Sequence, residues 1–225
     1  QYKPNLTYSA VPVFRRALLF PSRVALQDEV GIYTYAGLHQ AASQLSKEIS
    51  QLGERPNFFD DNSSFAGTTS KPKGVVWTHS MLSAQIASLH TAWHYSSHDV
   101  VLHTLPLHHI HGQLNSMLAS LSAGARIRML PSFVSHAVWA RLLGMGEREE
   151  AKVTVFHGVP TMYARLVADY DKMFTSAKTA EYVKSTLKRM RLMCAGSAPL
   201  PESLFQKWEQ VLQIQFVLYK GLVQK

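Results

Sequence analysis

The sequence predicts an α/β fold built on a mainly parallel sheet with helices on both faces. From Val75 onward, short apolar runs alternate with segments of helical period, which is the pattern of strand, crossover helix and parallel strand. The chain has 225 residues, 46% of them hydrophobic and 17% charged, enough to bury one large core. No apolar run approaches the ~18 residues that cross a bilayer, so a spanning helix is excluded.

The elements follow in order. Before Asp28 the charged residues are Lys3, Arg15, Arg16 and Arg23; this acid-free lead resembles an organelle transit segment, and "VFRRALLF" within it reads equally well as a first amphipathic helix. The chain begins at Gln1 and not Met, as a processed or incomplete chain does. After "YTYAG", Leu38, Ala41, Leu45, Ile49 and Leu52 recur at helical spacing and predict a helix over about Ala36–Leu52. "GERPNFFDDNSSF", with its Gly, Pro, Asn and Asp, predicts a loop. Leu82, Ile86, Leu89 and Trp93 predict a helix, "VVLHTL" a buried strand, Leu114 to Leu121 a helix, and "ARIRML" a strand. "AVWARLL" is then a helix, "VTVF" a strand, "TMYARLVADY" a helix opened by Pro160, "RLMCA" a strand, "ESLFQKWEQVL" a helix and "IQFVLY" a last strand. In such sheets ligands bind beyond the carboxyl ends of the strands, so the loops that follow strands are the informative ones.

Lysine and arginine number 23 against 15 acids, a formal charge of +8 that favours anionic partners: nucleotides, coenzyme phosphates, nucleic acid or a membrane surface. The basic residues are scattered, and nucleic-acid binding has net charge alone behind it. The densest group, Lys184, Lys188, Arg189 and Arg191, reads as a solvated helix face. The single cysteine, Cys194 in "RLMCAG", rules out an internal disulfide, fits a reducing compartment and reads as core.

The densest chemistry lies in "GTTSKPKG". Gly67 and Gly74 allow successive N–H groups to converge on an anion, Thr68, Thr69 and Ser70 add donors, and Lys71 and Lys73 flank Pro72 with positive charge. The second Gly-Lys-Ser/Thr of the common nucleotide loop is missing. His108, His109 and His111 invite a metal reading, but no Cys, Asp or Glu stands near them in sequence to complete a set. No metal is therefore expected at these three histidines.

In "GTTSKPKGVVWTH" the chain resembles the phosphate loop of the adenylate-forming, AMP-binding enzymes: acyl-CoA synthetases, luciferases and nonribosomal peptide synthetase adenylation domains. "YTYAGL" resembles the family's amino-terminal helix start, "LPLHHIHG" its acyl-pocket motif and "AGSAPLP" its adenine-binding turn, all in family order. "APVFRRALLFPSRVAL", "VVLHTLPLHHIHGQLNSML" and "VPTMYARL" are most similar to malonate-activating acyl-CoA synthetases of mitochondria. The resemblance implies a partial amino-terminal domain of that family, a carboxylic acid as substrate with ATP and CoA, Mg2+ as the family's cation, and the mitochondrial matrix as location. It implies ATP phosphates at Gly67, Thr68, Thr69, Ser70, Lys71, Pro72 and Lys73, adenine at Gly196, Ser197, Ala198 and Pro199, and a substrate pocket at His109 and His111. No catalytic residue is assigned.

Against the family pattern, Phe65 and Ala66 replace hydroxyl residues, Ser70 replaces a glycine, and Gln224 stands where a glutamate holds magnesium. The expected organisation is an amino-terminal segment over residues 1–52, a short loop over 53–64 replacing a missing block, and the ATP-grip and acyl-pocket portion over 65–225, with no counterpart of the carboxyl-terminal domain. The expectation is a truncated synthetase of little activity. The alternative is a non-catalytic nucleotide-binding or interaction fragment.

Overall fold

A computed structural model of the protein describes residues 13–51, 64–65, 73–74, 77–212 and 216–218. Val13–Leu19 is a 3-10 helix, followed by the antiparallel pair β1 (Val24–Gln27) and β2 (Ile32–Thr34). Asp28 makes their turn, its Oδ1 accepting from the N–H groups of Val30 and Gly31 at 2.8 Å each. Then come α1 (Tyr35–Gln51), the two-residue strands β3 (Ser64–Phe65) and β4 (Lys73–Gly74), and α2 (His79–Trp93). β5 (Val100–His103) leads to a π-helix (His111–Leu118) that runs into α3 (Ala119–Ser122). β6 (Arg126–Met129), α4 (Ser135–Leu142), β7 (Val155–Gly158), α5 (Pro160–Met173) and α6 (Ala177–Leu187) follow. β8 (Leu192–Ala195), α7 (Glu202–Leu212) and β9 (Phe216–Leu218) complete the order.

Seven strands form one sheet in the order β2-β1-β6-β5-β7-β8-β9. In it only the β1–β2 pair is antiparallel; every other neighbour pairs in parallel. The predicted fold class is therefore what the chain adopts. Every residue of β5, β7 and β8 is buried, as continuous apolar strand runs require when both faces are covered. Alternation divides them between two cores. Val100, Leu102, Phe156 and Met193 pack with Trp139, Leu166, Leu187 and Trp208 from α4, α5, α6 and α7, while Val101, Val155, Leu192 and Cys194 pack with Leu82, Ile86, Leu89 and Leu114 from α2 and the π-helix.

Local chemistry sets the helix ends. Thr78 Oγ1 accepts the Met81 N–H at 3.2 Å at the start of α2, and His94, at φ 51°, returns its N–H to the His90 carbonyl at the end. Ser176 caps α6 through the Thr179 N–H at 3.1 Å. Tyr35 anchors the first turn of α1 by donating to the Ala125 carbonyl at 2.6 Å, and burial pushes its phenol pKa up.

Several expectations are corrected. The helix expected over Leu114 to Leu121 is π-wound as far as Leu118, the Ala119 N–H reaching five residues back to Leu114. Its start is pinned because Gly112 sits so near the Pro106 carbonyl that a Cβ would lie 2.4 Å from that oxygen. α6 was not anticipated, because only Val183 and Leu187 of its eleven residues are buried, too sparse a stripe to read. The basic group is not simply solvated. Arg189 donates to the carbonyls of Leu142, Val153 and Thr186, and Arg191 pairs with buried Asp99.

Around β1, β2 and α1 the surface presents apolar side chains: Leu45 is 53% exposed, Ile32 62% and Val30 87%, with Tyr35 the one buried side chain of α1. Among the described residues no helix is long and apolar enough to cross a membrane.

Candidate functional site

β5, β7 and β8 end side by side, at His103, Gly158 and Ala195. Their carboxyl ends deliver the segments that follow to one edge of the sheet, where open α/β folds place ligands. The Gly196 N–H donates to the Gly158 carbonyl at 3.2 Å and fastens two of these ends together.

The turn Gly196, Ser197, Ala198 and Pro199 leaves β8 at this edge. Gly196 is buried and the other three are exposed. Ser197 holds a left-handed φ of 68°, a conformation that non-glycine residues adopt at a cost of order 1–3 kcal/mol and that recurs at ligand clamps. Glycine is required before it. A Cβ on residue 196 would lie 2.9 Å from His111 Cε1 and 3.2 Å from its Nδ1, so the backbone of this turn packs directly on the imidazole.

His111 opens the π-helix and is 5% exposed. Its Nδ1 faces Ser197 Oγ at 3.4 Å, and burial, with His103 nearby, holds its pKa down at about 4. The structure thus brings His111 and the Gly196 turn together. His109 it places apart: this ring and that of His108 are exposed, with centroids 4.2 Å from each other.

Beneath His111 lie groups that no motif in the sequence marks. His157 on β7 is fully buried, and its ring stands edge-on to His111 at 5.6 Å. Its Nε2 meets Tyr95 Oη at 2.6 Å, and Tyr95 Oη donates to the Asn115 carbonyl at 2.9 Å. A phenol has one proton, so His157 Nε2–H must be the donor to Tyr95, which leaves the lone pair on Nδ1. Burial, reinforced by His111 and His103, keeps the His157 pKa well below its ordinary value. His103 Nδ1 pairs with Ser116 Oγ at 2.9 Å, and burial brings its pKa down to about 4. All three imidazoles are neutral at pH 7. Cys194 is the partner of His157 in the β7–β8 register. The one available signal was a histidine inside an apolar strand run, in "VTVFHG" and "VVLHTL"; nothing local shows that chain separations of 46 (His111 to His157) and 37 (His157 to Cys194) residues close in space.

The expected phosphate grip is only partly in view. Gly67, Thr68, Thr69, Ser70, Lys71 and Pro72 lie outside the described residues, as does Gln224. The β3–β4 ladder sets Phe65 opposite Lys73 and Ser64 opposite Gly74, so the two ends of segment 66–72 stand together.

A family model described as AMP-binding enzyme matches residues 66–221. Mouse malonate–CoA ligase ACSF3, mitochondrial, is 44% identical over 144 residues, 64% of this chain and 24% of that protein; the chain thus spans about a quarter of the length of the curated relatives it matches. Among solved structures, apo MatB from Rhodopseudomonas palustris superposes with a TM-score of 0.77 at 18% identity, covering 94% of this chain and 60% of that one, which shows the fold. A malonyl-CoA ligase ternary product complex with methylmalonyl-CoA and AMP bound gives a TM-score of 0.55 at 28% identity, over 68% of this chain and 31% of that one.

Proposed function

The chain belongs to the AMP-binding enzyme family, and from that premise we propose that it is part of an ATP-dependent acid–thiol ligase that converts a small carboxylic acid, malonate in the first place, into its CoA thioester. A carboxylate oxygen attacks the α-phosphorus of ATP, the bond to the β-phosphate breaks, and pyrophosphate leaves with its electron pair. The thiol sulfur of CoA then attacks the acyl carbon, AMP departs, and the thiol proton goes to solvent. The carboxylate needs no general base, so the protein's work is alignment and charge neutralisation.

In this reading Gly67, Thr68, Thr69, Ser70, Lys71, Pro72 and Lys73 hold the departing phosphates. Gly196, Ser197, Ala198 and Pro199 lie against adenine, and His109 and His111 line the acid pocket. The observation that carries the reading is the contact of the Gly196 turn with His111 at the carboxyl edge of the sheet, which sets small, exposed residues of the turn beside an imidazole. Magnesium fits less well. Segments 104–110, 158–160 and 196–201 contain no Asp or Glu, and Gln224 is an amide; hard cations take carboxylate and other oxygen ligands, so no step is routed through one here. The mitochondrial name of the mouse relative supports a mitochondrial location; the matrix is the compartment we propose.

Isothermal calorimetry of ATP against the folded 225-residue chain, followed by malonate-dependent ATP–pyrophosphate exchange, tests the proposal. Binding together with weak but measurable exchange is the expected result for a ligase portion of little activity. Binding without exchange selects the non-catalytic nucleotide-binding reading, and a folded chain that ignores ATP rejects both.

A further inference from the structure

The cluster beneath the Gly196 turn is more than a polar patch in a core. His111, His157 and Cys194 are all buried, and each offers one ligand atom within 4.8 Å of the others. His111 Nε2 and His157 Nδ1 are buried nitrogens with no hydrogen-bond partner among the described residues. Buried polar atoms are nearly always satisfied, and each exception calls for an explanation. Two unsatisfied imidazole nitrogens beside a thiol have an obvious chemical complement.

We propose that His111, His157 and Cys194 form a binding site for a thiophilic metal ion of the Zn2+ class, with a fourth position left for water. The ligand set decides the class. Two imidazoles and a sulfur match a borderline-soft ion and not a hard one, whose sites are built from oxygen. Zinc–nitrogen distances of about 2.0 Å and zinc–sulfur of about 2.3 Å put tetrahedral ligand atoms roughly 3.3–3.6 Å apart, so closure from the observed separation takes side-chain movements of about an ångström. His157 and Cys194 are adjacent in the β7–β8 register and project from rigid, fully buried strands.

The outer shell is already built. A metal-bound histidine donates its other N–H to an oxygen that fixes its tautomer. Tyr95 does this for His157 Nε2 and is itself held by the Asn115 carbonyl, while Ser197 Oγ faces His111 Nδ1. Ser197, whose Oγ faces His111, is itself exposed to solvent. On binding, the cysteine loses its proton to solvent and the sulfur and both imidazoles donate lone pairs, with no change in oxidation state. An occupied site would tie the π-helix to β7 and β8 and hold His111 away from any ligand at the sheet edge.

The test uses the chain purified in chelator and titrated with Co2+ as a spectroscopic substitute and with Zn2+. Cys194 is the only cysteine, so a near-ultraviolet thiolate-to-cobalt band reports this residue alone. Expected are one ion per chain, that band together with the intense visible bands of four-coordinate cobalt, loss of both on adding Zn2+, and a Zn2+-dependent rise in thermal midpoint. Cys194→Ser removes the thiolate band. Tyr95→Phe, which touches no metal, weakens Zn2+ binding by about 10- to 100-fold. A His108→Asn/His109→Asn variant, which removes the exposed pair, keeps the band and the stoichiometry. No binding by the folded chain overturns the proposal, as does cobalt bound without the thiolate band, or binding that survives Cys194→Ser but not the His108/His109 variant. Because the spectrum is read on the unaltered chain, the outcome is decisive even where a variant does not fold.

Discussion

Arg191→Met should cost the fold about 3 kcal/mol. Asp99 is 3% exposed in its side chain and receives Arg191 Nε and Nη2 at 2.6 Å each; Arg191 Nη1 also donates to the Trp93 carbonyl at 2.7 Å. Residue 99 lies just before β5 and residue 191 just before β8, so the pair clamps the amino ends of the sheet, at the edge opposite the candidate site. Methionine keeps the aliphatic stem but leaves Asp99 with the Ser96 N–H at 2.8 Å and long contacts from Ser96 Oγ at 3.5 Å and Thr154 Oγ1 at 3.4 Å. Removing one partner of a buried pair costs roughly 3–5 kcal/mol. Because the arginine side chain is 34% exposed, solvent screening favours the lower end of that range. For 225 residues, an unfolding entropy of ~2 cal/mol/K per residue gives about 0.5 kcal/mol per degree, hence a midpoint lowered by about 6 °C. Differential scanning calorimetry and urea titration would measure it. Adding Asp99→Asn should recover part of the loss, since the amide removes the unpaired charge. A single variant within 2 °C of the parent, or a double variant worse than the single by the full cost of a second independent mutation, refutes the reasoning.

Gly196→Ala places a methyl 2.9 Å from His111 Cε1; overpacking of this kind costs about 1–3 kcal/mol, and the His111 imidazole resonances in a proton–carbon correlation spectrum should move. Unchanged stability and an unmoved His111 would show that the turn and the ring are not in contact. His90, whose Nε2 lies 2.7 Å from the Ala119 carbonyl and 2.9 Å from Ser122 Oγ, has its pKa lowered by burial. As pH falls below the ordinary ~6.5, the unfolded chain takes up this proton before the folded one, so His90 costs stability at up to about 1.4 kcal/mol per unit until the folded pKa is passed. The destabilisation caused by His90→Gln should therefore shrink between pH 7 and pH 5 in urea titrations; a difference independent of pH would contradict the assignment.

Much of the architecture is legible in the sequence because it is periodic. The helix expected over Ala36–Leu52 runs Tyr35–Gln51, and "ESLFQKWEQVL" forms α7 over Glu202–Leu212 as expected. The strand expected at "VTVF" is observed at Val155–Gly158, two residues on, because hydrophobicity marks where a run is buried and not where its ladder begins. β1 and β2 escaped notice for a related reason: with Ala25 their one fully buried residue, they have too little pattern to read. Of the site, "AGSAPLP" and "LPLHHIHG" were visible as motifs, but which histidine of the second would face inward was not.

By itself, then, the sequence determined the layered α/β class, the order of its central strands and helices, and the family to which the motifs belong, since all of these are written in local periodicity and in short runs of special residues. Tertiary structure alone decided that His111 rests on Gly196, that Tyr95 fixes the tautomer of His157, and that Cys194 lies beside both. Those relations arise where parallel strands remote in the chain end side by side, and no single stretch of residues carries a record of its neighbour across a sheet.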